Sequence, residues 1–461
     1  METTVSKANL MFTVGEISEI LGSALEGDVE FRLTPLTGIE IDSRKVAKGG
    51  LFVAVKGERF NGHDFLDQAF ARGAIAVVIS KTETADKEMR REHCIVVDDT
   101  VYALGELARA YRNRFDLKVI AVTGSNGKTT VKNLIYEILS KNSLALKSEK
   151  NYNNFFGLPL SIFKLTDRHK SAVFELGMSA PGEIARLSEI AAPDVAVITN
   201  VGPVHLEFFE NVERIAKAKL EIQQGIREGG TLIINGDDNL LRENIGDRQK
   251  IITFGIGCGN DVHPENLGFD KFQNPSFTID GIKFSSKLPG IHNVYNLLAA
   301  VTVAKTLGID PALSAEAIAE YMASDLRSEI VKKDDITYIV DCYNANPVSM
   351  KYALDTLAAM KCDGRRIAVL GDMLELGKSS DDYHYEIGKY AKDKCIDMLF
   401  CHGPLSSMIA AGFGDKASYV DSKDELTRKL AEYVKPGDLV LFKASRGIAL
   451  EEIVDKILGD E

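Results

Sequence analysis

No two of the six cysteines (Cys94, Cys258, Cys342, Cys362, Cys395 and Cys401) stand in a C-x-x-C pair. Cysteines this sparse read as reduced thiols, which argues against a disulfide frame or a cysteine-built zinc site. No stretch approaches the roughly 18 apolar residues that a membrane-crossing helix needs. Met1 to Phe12 carry no apolar run behind a basic start, as a secretory signal would. These absences predict a cytoplasmic protein with no membrane insertion. An excess of basic residues is missing too: 55 Lys and Arg face 67 Asp and Glu, for a net charge of -12. A general nucleic-acid binder needs a positive footprint for the phosphate backbone, so no nucleic-acid partner is expected. A small anionic substrate remains open, because a nest of backbone N–H groups and one lysine can hold phosphates on an acidic protein. Internal repeats and low-complexity tracts are absent as well.

What is present is a chain of 461 residues, 45% hydrophobic and 26% charged. That is the balance of a globular protein and too long for one ordinary core. Alternating short β-rich and helical patterns predict an α/β fold in three domains, 1–97, 98–324 and 325–461. In the first, Leu51 to Val55, Ala74 to Ile79 and Cys94 to Val97 read as strands, and Phe65 to Ala71 as a helix ended by Gly73. In the second, Lys118 to Thr123, Ser171 to Phe174, Val195 to Thr199 and Thr231 to Asn235 read as strands of a mainly parallel sheet. Phe277 to Phe284 reads as a hairpin turning at Asp280-Gly281. In the third, five strands (Ile336 to Val340, Ile367 to Leu370, Met398 to Cys401, Ser418 to Val420, Leu439 to Phe442) alternate with helices, a Rossmann-like pattern.

The strongest motif is Thr123-Gly124-Ser125-Asn126-Gly127-Lys128-Thr129-Thr130. A strand precedes it, and Val131, Leu134, Ile135, Ile138 and Leu139 mark one face of a helix behind it. In a phosphate loop, successive N–H groups point inward and the helix presents its positive end. Gly124 and Gly127 allow the tight path, Lys128 supplies charge to the β- and γ-phosphates, and the Thr129 hydroxyl faces Mg²⁺. Val122 stands where the long form of the motif has glycine, so the match is to a shorter form. An ordinary Gly-rich strand-to-helix turn is the bland alternative.

Ligands of parallel sheets gather beyond the carboxyl ends of the strands. Glu175, Asn200 and His205 follow two such ends, and a carboxylate with an imidazole suits a metal site, although Mg²⁺ prefers oxygen. Each alone reads more often as a polar loop residue; their joint placement raises the functional reading. Asn151, Asn153 and Asn154 cluster before Gly157 and Pro159, as turn formers or as amide donors to an anion. Lys217 and Lys219 lie in the helical stretch Val212 to Ile226. A surface pair is the plain reading; a desolvated lysine able to react with CO₂ is the sharper one.

Together these segments resemble the Mur ligases of peptidoglycan synthesis, over nearly the whole chain. The resemblance rests on Asp42-Ser43-Arg44, on Gly57 to Phe65, and on Asn151 to Pro159. It continues through Glu175-Leu-Gly177, Thr199 to Leu206, Lys217-Ala-Lys219-Leu-Glu221 and His292-Asn293-Val-Tyr-Asn296. Asp341-Cys-Tyr343-Asn344-Ala345-Asn346-Pro347 with Gly371 to Gly377 is similar to the branch that adds D-alanyl-D-alanine. The Asp-Asn-Pro-Arg string of a sister branch is absent. Asn61 and Ala444 depart from residues frequent in the family.

The resemblance implies a small α/β domain for the UDP-sugar peptide, a central P-loop ATPase domain and a C-terminal Rossmann-like domain. It implies ATP-dependent amide formation between UDP-N-acetylmuramoyl tripeptide and D-Ala-D-Ala through an acyl phosphate, by a monomer. Implied catalytic residues are Lys128, Lys219, His205, Asn154 and Glu175. Two Mg²⁺ ions would sit on Thr129, Glu175, His205 and a carbamate formed on Lys219. ATP would meet Gly124, Ser125, Asn126, Gly127, Lys128, Thr129, Thr130, Asn296, Arg327, Asp341, Tyr343 and Asn344. The UDP substrate would meet Ser43, Arg44, Asn61, Gly62, His63 and Asp64. A ligase adding a single amino acid, or a protein that binds ATP only to change shape, is the competing expectation.

Overall fold

The computed structural model describes residues 11–25, 27–57, 60–84, 93–204, 206–246, 249–323 and 326–459. Two compact units emerge. One comprises Met1–Thr123, Ser143–Val197 and Glu221–Leu232; the other comprises Gly124–Asn142, Ile198–Leu220 and Ile233–Glu461.

In the first unit, β1 (Ile39–Glu40), β2 (Gly50–Val53), β3 (Ala74–Ser80) and β4 (Cys94–Val97) pair in parallel and in chain order. The helix Leu66–Arg72 stops as expected at Gly73, whose φ of 108° is a conformation that costs glycine little;. β5 (Lys118–Thr123), β6 (Ala145–Lys147) and β7 (Ser171–Glu175) are also parallel, with β7 between the other two. The sheet order is β10-β9-β8-β5-β7-β6, where β8 (Val195–Ile198) falls mainly in this unit, β9 (Thr231–Asn235) at its boundary and β10 (Lys250–Phe254) in the second unit. Val119 to Val122 are fully buried, as a strand covered on both faces requires.

The second unit contains an antiparallel sheet of β11 (Glu265–Phe269), β12 (Pro275–Ile279) and β13 (Ile282–Ser285). Its expected hairpin turns through Asp280 at φ 51° and Gly281 at φ 79°, the twist that matches flanking strands. Six further strands follow: β14 (Glu329–Lys333), β15 (Ile336–Asp341), β16 (Arg366–Gly371), β17 (Met398–His402), β18 (Ala417–Tyr419) and β19 (Leu439–Lys443). They lie in the order β14-β15-β19-β16-β17-β18. All pairs are parallel except β14 with β15.

Sequence reasoning expected five of these strands and missed β14. Its Glu329-Ile-Val-Lys-Lys333 string reads as polar because it is an edge strand, where lysines discourage pairing with other chains;. The core divides by strand alternation. Ile339, Leu370, Leu399 and Leu441 enter one cluster, and Val340, Val369, Phe400 and Phe442 enter the other;.

The loop after β16 is fixed from below by His384, which is fully buried. Its Nε2 accepts from the Met373 N–H at 2.9 Å, so Nδ1 carries the proton, 2.7 Å from the Ser380 carbonyl. Burial pushes this imidazole below its ordinary range, opposed by the Ser380 carbonyl and by Asp372 and Asp381. In the unfolded chain it protonates near pH 6.5, so below that pH the unfolded state binds the extra proton and stability falls with pH. Urea midpoints of the wild type should therefore drop from pH 6.5 towards pH 5 more steeply than those of His384→Gln. Equal slopes would show that His384 does not carry this dependence.

Candidate active site

The loop after β5 bends at Gly124 (φ 148°) and Gly127 (φ 83°) and opens the helix Lys128–Asn142. Within the second unit, the residues after β8 hold it from behind. The Ser125 N–H donates to the Asn200 carbonyl at 2.9 Å, and the Asn126 N–H to Asn200 Oδ1 at 2.9 Å. Thr199 Oγ1 and Asn200 Nδ2 both donate to the Asn126 carbonyl, and the Gly202 N–H donates to Ser125 Oγ at 2.9 Å. Lys128 Nζ curls back onto the carbonyls of Gly124, 2.8 Å, and Ser125, 3.4 Å. A Cβ on Gly124 would strike Thr199 Oγ1, and one on Gly127 would strike Asn296 Oδ1. Both glycines are thus required by close approach as well as by backbone angle.

Asn296 is buried on the helix Ile291–Thr306, and its Nδ2 donates to Asn293 Oδ1 at 2.9 Å. His292 on the same helix stacks on Tyr352 at 5.4 Å between ring centroids. Thr129 is buried and Thr130 half-buried in the first turn behind the loop.

Lys219 ends the helix Val212–Leu220 and is 2% exposed. Burial, and then the charge of Lys128, push its ammonium well below the ordinary lysine range;. Lys217, which residue type and spacing alone left equivalent and the family resemblance set aside in favour of Lys219, is exposed.

At the carboxyl end of β15, Arg327 lies 3.8 Å above the Tyr343 ring, and its Nε has no hydrogen-bond partner among the described residues;. Asp341 accepts from Lys443 Nζ at 2.6 Å, and the same ammonium donates to the Asn344 carbonyl at 3.0 Å. Asn344 Oδ1 accepts from the Ala345 N–H. Neither Asn346 nor Lys443 was singled out for the site from sequence, yet Asn346 Nδ2 reaches Asn126 Oδ1 of the loop at 2.6 Å. The order Asn-Pro before a helical pattern marks a helix cap; nothing in the string says what else the amide touches.

In the first unit, Glu175 is the last residue of β7 and 3% exposed. Its Oε1 accepts from Asn153 Nδ2 at 3.0 Å. Asn154, the residue singled out from sequence, accepts at its Oδ1 from the N–H groups of Phe156 and Gly157, in the turn that leads into the helix Gly157–Ile162. Asn153 is the member of the cluster that orients the carboxylate.

Around β2 and β3, Ser43 Oγ donates to Gln68 Oε1, and Arg44 pairs with Asp42 at 2.9 Å. Asn61 accepts from the His63 N–H and donates to Glu83. His63 is buried and uses both ring nitrogens internally, Nδ1 with Asn61 Oδ1 and Nε2 accepting from the Ser80 N–H. A Cβ at Gly62 would meet the Val55 backbone at 2.8 Å, and Asp64 is exposed. His205 lies outside the described residues.

A parallel strand, a doubly glycine-bent loop, one lysine and a helix N-terminus define an α/β protein of the phosphate-loop nucleotide-binding class. Comparison with known proteins narrows the class. Residues 35–112 match the Mur ligase family catalytic domain, 122–304 the Mur ligase middle domain, and 326–446 the Mur ligase glutamate ligase domain. The chain belongs to the Mur ligase family.

It is 39% identical to the UDP-N-acetylmuramoyl-tripeptide--D-alanyl-D-alanine ligase of Bacillus subtilis (strain 168), over 97% of this chain and 98% of that protein. The ligase of the same name from Escherichia coli (strain K12) is 35% identical over 96% and 97%. The crystal structure of MurF from Acinetobacter baumannii superposes with a TM-score of 0.88 at 29% identity, covering 97% of this chain and 99% of that one. MurF ligase from Thermotoga maritima in complex with ADP gives 0.82 at 32% identity, covering 92% and 97%. The α/β architecture with mainly parallel sheets expected from sequence is the one these structures share.

Gly127→Ala should weaken ADP binding at least roughly fivefold, since strain of about 1–3 kcal/mol falls on the loop itself. Calorimetric titration of folded variant and wild type would check it; equal affinities would mean that the Gly127 path is not needed for nucleotide.

Proposed function

We propose that the chain is an ATP-dependent ligase that forms an amide between UDP-N-acetylmuramoyl tripeptide and D-alanyl-D-alanine, in three functional domains divided near residues 97 and 324. The full-length likeness to ligases of this one reaction carries the reading. It implies the cytoplasm, where ATP and the UDP precursor are available.

A carboxylate does not condense with an amine in water, because its oxygen is a poor leaving group. In the proposed reaction a carboxylate oxygen of the tripeptide bonds to the γ-phosphorus as the β–γ bridging oxygen leaves with ADP. The dipeptide amine then attacks the acyl carbon and loses a proton, and phosphate departs with the C–O electron pair. Catalysis of such a transfer is positioning plus charge neutralisation. Lys128 exchanges its contacts with the Gly124 and Ser125 carbonyls for β- and γ-phosphate oxygens. The N-terminus of the helix Lys128–Asn142 receives the rest of the charge;. Arg327, Tyr343, Asp341, Asn344 and Asn296 are the proposed nucleotide contacts from the C-terminal segments. Ser43, Arg44, Asn61, Gly62, His63 and Asp64 are the proposed surroundings of the UDP substrate, with His63 acting through Asn61.

Mg²⁺, as two ions, would supply further neutralisation from Thr129, Glu175, His205 and a carbamate on Lys219; the resemblance carries Glu175 and His205 into this set. The environment of Lys219 supports the modification. Burial beside Lys128 favours the neutral amine, the form that adds to CO₂ and releases a proton. The resulting anion converts repulsion by Lys128 into attraction.

ADP release should require both UDP-muramoyl tripeptide and D-Ala-D-Ala; strong turnover with a single amino acid would replace this reading with a sister ligase. Lys219→Ala should lose most activity and recover part of it with added short carboxylic acids. An unrescued variant of full activity would reject the carbamate.

A further inference from the structure

The side chain of Asn126 is not held by the segment that holds its backbone. Thr199 and Asn200 secure the Asn126 N–H and carbonyl. The carboxamide is met by Asn346, with Asn346 Nδ2 donating to Asn126 Oδ1 at 2.6 Å and Asn126 Nδ2 lying 3.5 Å from Asn346 Oδ1. Asn346 is 6% exposed and caps the helix Pro347–Ala359, its Oδ1 accepting from the Ser349 N–H at 3.0 Å. One carboxamide thus uses its oxygen for the cap and its nitrogen for the phosphate loop.

The segment carrying Asn346 is tied down along its length by the end of β19. Lys443, 2% exposed, bonds Asp341 and the Asn344 carbonyl. Ser445 Oγ donates to the Ala345 carbonyl at 3.3 Å and accepts from the Leu374 N–H at 3.0 Å. A capping residue needs only an acceptor for the helix. A donor directed at a loop 220 residues away in sequence, on a segment anchored by a buried ion pair, exceeds that need.

We propose that Asn346 is a positioning residue for nucleotide binding: its amide fixes the Asn126 side chain, and Lys443 fixes Asn346. The inference rests on the reading of residues 124–128 as the phosphate site and concerns how that site is made ready. Ordering the loop before nucleotide arrives lowers the entropic cost of binding. Nucleotide affinity therefore depends on Asn346, while affinity for the two acceptor substrates does not.

Serine separates the two roles of Asn346, because it caps helices about as well as asparagine and is too short to reach Asn126. Asn346→Ser should keep the wild-type melting temperature to within a few degrees. It should raise the Kd for ADP, measured by calorimetry without acceptors, roughly three- to tenfold, the range for one lost neutral hydrogen bond. KM for D-Ala-D-Ala should be unchanged. Asn126→Ser should weaken ADP binding as well, and the double variant should bind no more weakly than Asn126→Ser alone, since a pair is lost once. An unchanged Kd in Asn346→Ser, or effects that multiply in the double variant, would overturn the proposal. A wild type that binds ADP but shows no acceptor-dependent turnover would overturn the ligase reading and leave this inference to be judged on the ADP titrations.

Discussion

The chain must reverse from β5 into a helix within residues 124–128, and the surrounding structure serves that constraint. Gly124 and Gly127 adopt positive φ with Thr199 and Asn296 packed where a Cβ would stand. The loop makes few hydrogen bonds within itself beyond those of Lys128 to the Gly124 and Ser125 carbonyls. Asn200 therefore bonds its backbone at three places from behind, and Asn346 secures a side chain from the front. Preorganisation of this kind removes the cost of ordering donors at the moment of binding.

Three of the buried cations show three solutions to one electrostatic problem. Arg112, fully buried, spends its guanidinium on the carbonyls of Ala191 and Ala192 and on Asp194, and burial lowers it to about 10. Lys443 is paired with Asp341 and a carbonyl, so its charge is matched. Burial, and then the charge of Lys128, suppress the charged form of Lys219. The first two arrangements belong to architecture. The third is costly to keep for stability alone, which is why Lys219 invites a chemical explanation and Arg112 does not.

Much of the fold was legible because burial on two faces leaves β-rich apolar runs. β4 and β5 and the Asp280-Gly281 turn fall where the pattern placed them. β14 was illegible because an edge strand is half solvated and carries lysines as protection;. In the candidate site, the loop residues were legible from glycine spacing alone. The division of labour between Asn153 and Asn154 was not, since two adjacent asparagines carry the same chemistry and differ only in direction. One donates to Glu175, and the other accepts from the N–H groups of the turn before a helix.

The sequence by itself determined the phosphate loop, the alternation of strands and helices, and a likeness to one ligase family, because glycine geometry and hydrophobic period are local properties. Tertiary structure alone decided which polar side chains are buried and which ones they bond. It buried Lys219 and left Lys217 in water, gave Asn153 rather than Asn154 to Glu175, and brought Asn346 onto Asn126. The physical reason is that burial and hydrogen-bond direction depend on residues distant in the chain. Neither is written in the identity of the residue that experiences it.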